Sequence, residues 1–135
     1  DSIPGVTLVP ERAVEQCMLD APDDAAIVIL THDHALDYRL TLAALRRAPV
    51  AFIGLIGSAT KRARFLSRLA RDGIDDAARA RLCCPIGIDG VVGKEPDVIA
   101  IATLAQLLQL RADRPAPAQA ATTQATATQA APCTF

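Results

Sequence analysis

The sequence predicts an α/β domain built on a mostly parallel sheet, and three observations carry that prediction. Short, continuously apolar runs alternate with stretches of helical periodicity, as do strands covered on both faces and the helices that connect them. Hydrophobic residues make up 51% of the chain while aromatics reach 3% and Trp is absent, so the core must be aliphatic. A chain of 135 residues has enough apolar surface for one core and is short for two.

Val6 to Val9, after Gly5, reads as a first short strand, and Pro10, Glu11 and Arg12 open a helix through Met18. Ala25 to Thr31 (A-A-I-V-I-L-T), bounded by acidic turn residues, reads as a strand buried on both faces. After His32-Asp33-His34, the residues Leu36, Leu40, Leu42, Ala43 and Leu45 recur at helical spacing. Arg46 and Arg47 suit the negative end of that helix dipole, and Pro49 stops it.

Val50 to Ile56 (V-A-F-I-G-L-I) is the next buried strand. Gly57-Ser58 then turns the chain, with Ser58 as N-cap of a helix that ends at Asp72, before Gly73. Asp75-Asp76 begins a short helix through Leu82, Cys83 to Gly87 reads as extended, and Gly87 to Gly93 as a loop. Pro96 suits the first turn of a last helix, carrying Ile99, Leu104, Leu107 and Leu108 and fading near Arg111. From Ala112 onward the chain is Ala, Thr, Gln and Pro in near-repeats, too poor in large apolar side chains to offset ordering entropy. The expected organisation is one domain over residues 1–111 and a disordered low-complexity tail over 112–135.

Composition also excludes function classes. A formal charge of -1 gives no electrostatic ground for binding nucleic acid or a membrane surface. No run approaches the roughly 18 apolar residues of a membrane span, and no basic region precedes an apolar one at the start, so a soluble protein is expected. The four cysteines, Cys17, Cys83, Cys84 and Cys133, form no C-x-x-C pair, which points to the reducing cytoplasm. No G-x-G-x-x-G turn, nucleophile elbow or well-spaced P-loop occurs: Gly87 and Gly93 are spaced wrongly for the last of these and Glu95 follows Lys94.

Three constellations could carry chemistry. In Gly57-Ser58-Ala59-Thr60-Lys61-Arg62, cations stand at a helix N-terminus where they oppose the dipole. That suits a bound phosphate or other oxyanion held by amides, Ser58, Lys61 and Arg62; alternatively Gly57 only turns, Ser58 only caps, and the cations form a solvated face that contributes little to folding. Thr31-His32-Asp33-His34 ends a strand, and His32 and His34, alternate residues of an extended chain, could share a face toward a metal or a ring edge. The plainer reading has Asp33 capping the next helix, and no third ligand accompanies the two histidines. Cys84-Pro85-Ile86-Gly87 leads into a loop ending at Gly93-Lys94, where glycines let backbone approach a ligand, although a buried Cys84 is equally a small hydrophobe.

These stretches, Val28 to His34, Ile53 to Ser58 with Lys61-Arg62, and Cys84 to Gly87 with Gly93-Lys94-Glu95-Pro96 and Ile99-Ala100, resemble in order the xanthine dehydrogenase accessory protein (XdhC/CoxI) family over about Ala25 to Leu108. The resemblance implies a Rossmann-like three-layer domain, incomplete at its N-terminal side because the family's Gly-rich first turn lies upstream of what is seen. It implies a non-catalytic chaperone that binds molybdenum cofactor (molybdopterin), protects it while a cofactor-sulfurating enzyme acts, and delivers it to the xanthine dehydrogenase apoenzyme. Cofactor contacts are then expected from His32, Asp33, His34, Gly57, Ser58, Lys61, Arg62, Cys84, Gly87, Gly93 and Lys94, with no resident metal. A homo-oligomer is compatible with the sequence. Two other functions compete: a nicotinamide-dependent oxidoreductase, disfavoured by the missing Gly-rich turn, and a docking module without a ligand of its own.

Overall fold

The two most continuous apolar runs form the two longer strands of the computed structural model, which describes residues 3–47 and 49–114. β1 (Ala26–Ile29) pairs in parallel with β2 (Phe52–Leu55), Ala26 opposite Phe52 and Ile29 opposite Leu55. β3 (Leu82–Cys83) pairs in parallel with the other edge of β2, giving a three-stranded sheet of order β1-β2-β3. Parallel neighbours need crossovers, and helices supply them. α1 (Glu11–Leu19) precedes β1, α2 (His34–Arg46) links β1 to β2, α3 (Ala59–Arg71) and α4 (Asp76–Ala80) link β2 to β3, and α5 (Pro96–Ala112) follows.

The register puts alternate residues on opposite faces. Ile29, Ile53 and Leu55, all at most 3% exposed, join Tyr38, Ala44 and Leu45 of α2 and Phe65 and Leu69 of α3 in the core. Tyr38 meets Phe65 edge to face at 5.3 Å and donates its hydroxyl to Asp72, 2.6 Å away. Local chemistry ends α3 where the sequence predicts. Gly73, at φ +85°, closes α3 with Gly73 N–H bonded to Ala70 O and Ile74 N–H to Leu69 O, the paired bonds of a Schellman cap, with Leu69 and Ile74 both in the core.

The opposite face carries Phe52 and Gly54, continues into Leu30 and Ile56 beyond the strands, and is covered by α5. That helix is tied to the strand β3 end by polar bonds. Gln106 Oε1 accepts from Gly87 N–H at 2.8 Å, its Nε2 donates to Cys83 Sγ at 3.1 Å, and Ala102 O accepts from Ile88 N–H at 3.2 Å.

Two expectations are corrected. Val6 to Val9 forms no strand: Val6 N–H turns back to Ile3 O, and Val6, Leu8 and Val9 stay exposed, because a β-branched run becomes a strand only beside a backbone edge that completes its ladder. The short helix stops at Ala80, not Leu82, because Leu82 is drawn into the sheet opposite Ile53 and is 3% exposed. The tail predicted over 112–135 lies outside the described residues from 115 on; Ala112 ends α5, and Arg114 pairs with Asp24 at 3.0 Å.

Leu69, fully buried between α3 and the sheet, sets the scale of core packing. Leu69→Ala is expected to lower unfolding free energy by about 2–5 kcal/mol, the usual range for a buried leucine, read from the midpoint of urea denaturation.

Candidate functional site

Ligands of open α/β sheets bind beyond the carboxyl ends of the strands, and the predicted motifs lie there. Their arrangement is organised by a residue that sequence reasoning did not single out. Asp37, in the first turn of α2, has no solvent exposure. Its Oδ1 accepts from Thr31 N–H at 3.2 Å and from the Thr31 hydroxyl at 2.6 Å, while Oδ2 meets Lys61 Nζ at 2.5 Å. Lys61 Nζ also donates to Ile56 O at 3.0 Å and lies 5.4 Å from the centre of the Phe65 ring. One carboxylate thus joins the chain leaving β1, the start of α2, the chain leaving β2 and the start of α3.

Gly57 is explained by this arrangement. A Cβ there would lie 2.7 Å from Lys61 Cδ and 3.2 Å from Cys84 Sγ, so only glycine lets the lysine stem and the thiol close over the turn. Ser58 caps α3, its hydroxyl accepting from Lys61 N–H at 3.1 Å, and remains exposed. The anion that Lys61 faces within the chain is Asp37, which corrects the expectation of a solvated cation: its side chain is 12% exposed, whereas Arg62 is exposed and shares a shallow depression with Asp76 and Arg79.

Burial pushes the Cys84 thiol pKa up from its ordinary value, against the opposing pull of Lys61 and then Arg62. The neutral thiol is a poor nucleophile and a poor metal ligand. Among the described residues, no cluster of three or more His, Cys, Asp or Glu could hold a metal ion.

Asp33 adopts the plainer of its two readings, capping α2 by accepting from Ala35 N–H at 2.7 Å and Leu36 N–H at 3.3 Å. His34 is the exposed first residue of α2. His32, by contrast, lines a cavity of about 580 Å³ between the sheet and α5. Leu30 and Ile56 form its sheet side, Ile99 and Thr103 its helix side, and Lys94 stands with His32 on its border. Gly93 is exposed beside Lys94, and Gly87 lies further along the same loop, bonded to Gln106. A depression of about equal volume lies toward the amino ends of the strands, among Ala26, Phe52 and Leu107, and contains none of the predicted site residues.

The structure therefore brings His32 and Lys94 together around one cavity, and Gly57, Lys61 and Cys84 together beneath the α3 turn. It does not bring His34 or Arg62 to that cavity wall. Asp37 had a legible signal: it shares the buried stripe of α2 with Thr41 and Ala44, and a carboxylate on such a stripe requires a partner.

Breaking a buried ion pair leaves a desolvated charge. Lys61→Met and Asp37→Asn are each expected to cost about 3–5 kcal/mol, and Arg62→Ala at most about 0.5 kcal/mol, in chemical denaturation. Iodoacetamide at neutral pH should label Cys17, which is exposed, and leave Cys84 unmodified until denaturant is added, as read by peptide mass spectrometry.

Comparison with known proteins agrees with the fold. A family model described as the XdhC Rossmann domain matches residues 5–107, which carries the likeness upstream of Ala25. Over 98 residues the chain is 35% identical to YqeB of Escherichia coli (strain K12), described as an uncharacterized protein; the match covers 72% of this chain and 17% of YqeB. With the fold and the family match in agreement, the chain belongs to the XdhC Rossmann domain family.

Proposed function

We propose that this domain is the ligand-holding part of a cytoplasmic accessory protein that binds molybdenum cofactor, shelters it while a sulfurating enzyme acts, and passes it to the xanthine dehydrogenase apoenzyme. The observation that carries the reading is the cavity between the sheet and α5, because it draws His32 and Lys94 from separate loops to the border of one apolar slot. Its volume of about 580 Å³ is within the range of small-molecule sites. The pterin ring would occupy the slot.

The anionic end of the cofactor has donors nearby. Lys94 supplies a cation at the border, and the exposed Ser58 turn follows directly on Ile56 of the cavity wall, whereas Arg62 lies outside that wall. Lys61 contributes by position: paired with Asp37 and Ile56 O, it holds the turn rather than presenting a free charge. The bound cofactor would supply the redox chemistry of the receiving dehydrogenase, and this chain need only grip and release it. A carrier rather than a catalyst is also supported by the engagement of Asp33 in capping and the protonated state favoured for Cys84.

A docking role has its own support. Ile101 and Leu108 on α5 are 67% and 56% exposed, and Leu104 between them, 59% exposed, also lines the cavity, an apolar surface suited to a partner protein.

Purified chain mixed with released molybdenum cofactor should carry both molybdenum and pterin through size-exclusion chromatography. Lys94→Gln is expected to weaken retention about tenfold and flatten its salt dependence, as loss of one charge-assisted hydrogen bond does. Elution of molybdenum and pterin with the small molecules would refute the carrier reading and leave the α5 surface as the basis of function.

A further inference from the structure

A depression of about 450 Å³ lies between α1 and α2, on the side of the sheet away from α5. Leu19, Leu42 and Ala43 supply its apolar surface, and Arg39 and Arg46, both exposed and two turns apart on α2, supply its cations. Arg47, the third arginine there, is bound to Leu19 O at 2.9 Å and Asp23 at 3.5 Å. Arg46 also reaches across to α3, donating to Asp72 O at 3.4 Å, and the exposed Arg64, Arg68 and Arg71 follow one another on that helix at i, i+4 and i+7. Neighbouring cations on a helix repel, and α3 has no acidic residue in its first turn. Among the described residues, Arg46, Arg64 and Arg71 make no salt bridge. Arg68 meets Asp72 only at 3.9 Å, and Arg39 meets Glu15 at 3.5 Å with both side chains in solvent. Exposed pairs of that kind contribute little and exchange readily. The surface across α2 and α3 thus concentrates positive charge without its counter-charge, on a chain whose formal charge is -1.

We infer that this surface is a docking site for an acidic amphipathic helix of a partner protein. Two helices offer no open backbone edge for strand addition, so the recognition mode that fits is a helix laid in a groove. Apolar side chains of the incoming helix meet Leu19 and Leu42, and its carboxylates meet Arg39 and Arg46, with the α3 arginines beyond. Arg68 is set in place for this role by stacking on the Tyr38 ring at 3.8 Å. A phosphate polymer fits less well: it has no apolar face for the depression, and Glu15 opposes an unbroken row of phosphates, whereas a helix can set a neutral residue there. The inference does not depend on the cavity beside α5, which a partner held here would leave open.

The test uses the full chain and fluorescein-labelled peptides of about five helical turns, read by fluorescence anisotropy. One carries leucine along one face and glutamate along its flanks, the second has the same composition scrambled, and the third has glutamine in place of glutamate. The first should bind with an affinity that falls as salt rises, and the other two should bind at least about tenfold more weakly. Arg39→Gln combined with Arg46→Gln should weaken the first peptide about tenfold and flatten its salt dependence. The thermal midpoint of that variant should not change, because both side chains are exposed. Arg111→Gln, which removes an exposed cation of α5, should leave binding as it was. Equal binding of the scrambled peptide, an unaffected double variant, an equal loss in Arg111→Gln, or no binding of any peptide would overturn the inference. Tighter binding of a single-stranded oligonucleotide of the same charge would overturn it too, and would assign the arginines to a polyanion instead.

Discussion

The carboxylate of Asp37 is the constraint on which the site depends. It has no exposure, and a charge so placed is tolerated only with its lone pairs occupied. Thr31 and Lys61 occupy them, and each is fixed by the end of a different strand. Lys61 reaches Asp37 only by passing over Gly57, and its stem leaves no room there for a side chain. The identities of residues 31, 37, 57 and 61 therefore follow from one electrostatic requirement. Its consequence is geometric: the two strand-to-helix turns that bear His32 and Ser58 are held at a set separation by charge-assisted bonds.

The two faces of the sheet are built unequally, and the inequality produces the cavity. On one face, isoleucine and leucine of the strands interlock with α2 and α3, and the ring of Tyr38 is held between Phe65 and Arg68, whose guanidinium lies 3.8 Å from its centre. On the other, α5 docks through Ala102, Gln106 and the backbone of the loop after β3, contacts that fix its distance from the sheet without filling the space between. Small residues and a polar anchor dock this helix, and Ile101, Leu104 and Leu108 remain exposed on it.

Much of the fold was legible in the sequence because strands buried on both faces and capped helices have strong local signatures. The continuous runs A-A-I-V-I-L-T and V-A-F-I-G-L-I contain β1 and β2, and Ser58, Asp75 and Gly73 mark helix ends by their own side chains or backbone freedom. The failures were of another kind. Val6 to Val9 has strand-forming residues and no paired edge, and Leu82 has helical neighbours and a place in the sheet. In both, hydrogen bonding to a distant segment overrode local preference.

By itself the sequence determined the α/β class, the apolar runs that hold β1 and β2, the capped helices that follow them and the family likeness. These depend on neighbours within a few residues or on motifs that survive as strings. Only the tertiary structure decided which charged side chains are free: Lys61 and Arg62 are adjacent and chemically alike on paper, yet one is closed against Asp37 and the other faces solvent. It also decided that His32 shares a cavity with Lys94 while His34 does not. Such facts are set by strand register and by the docking of α5, interactions between segments far apart in the chain, and no local pattern encodes them.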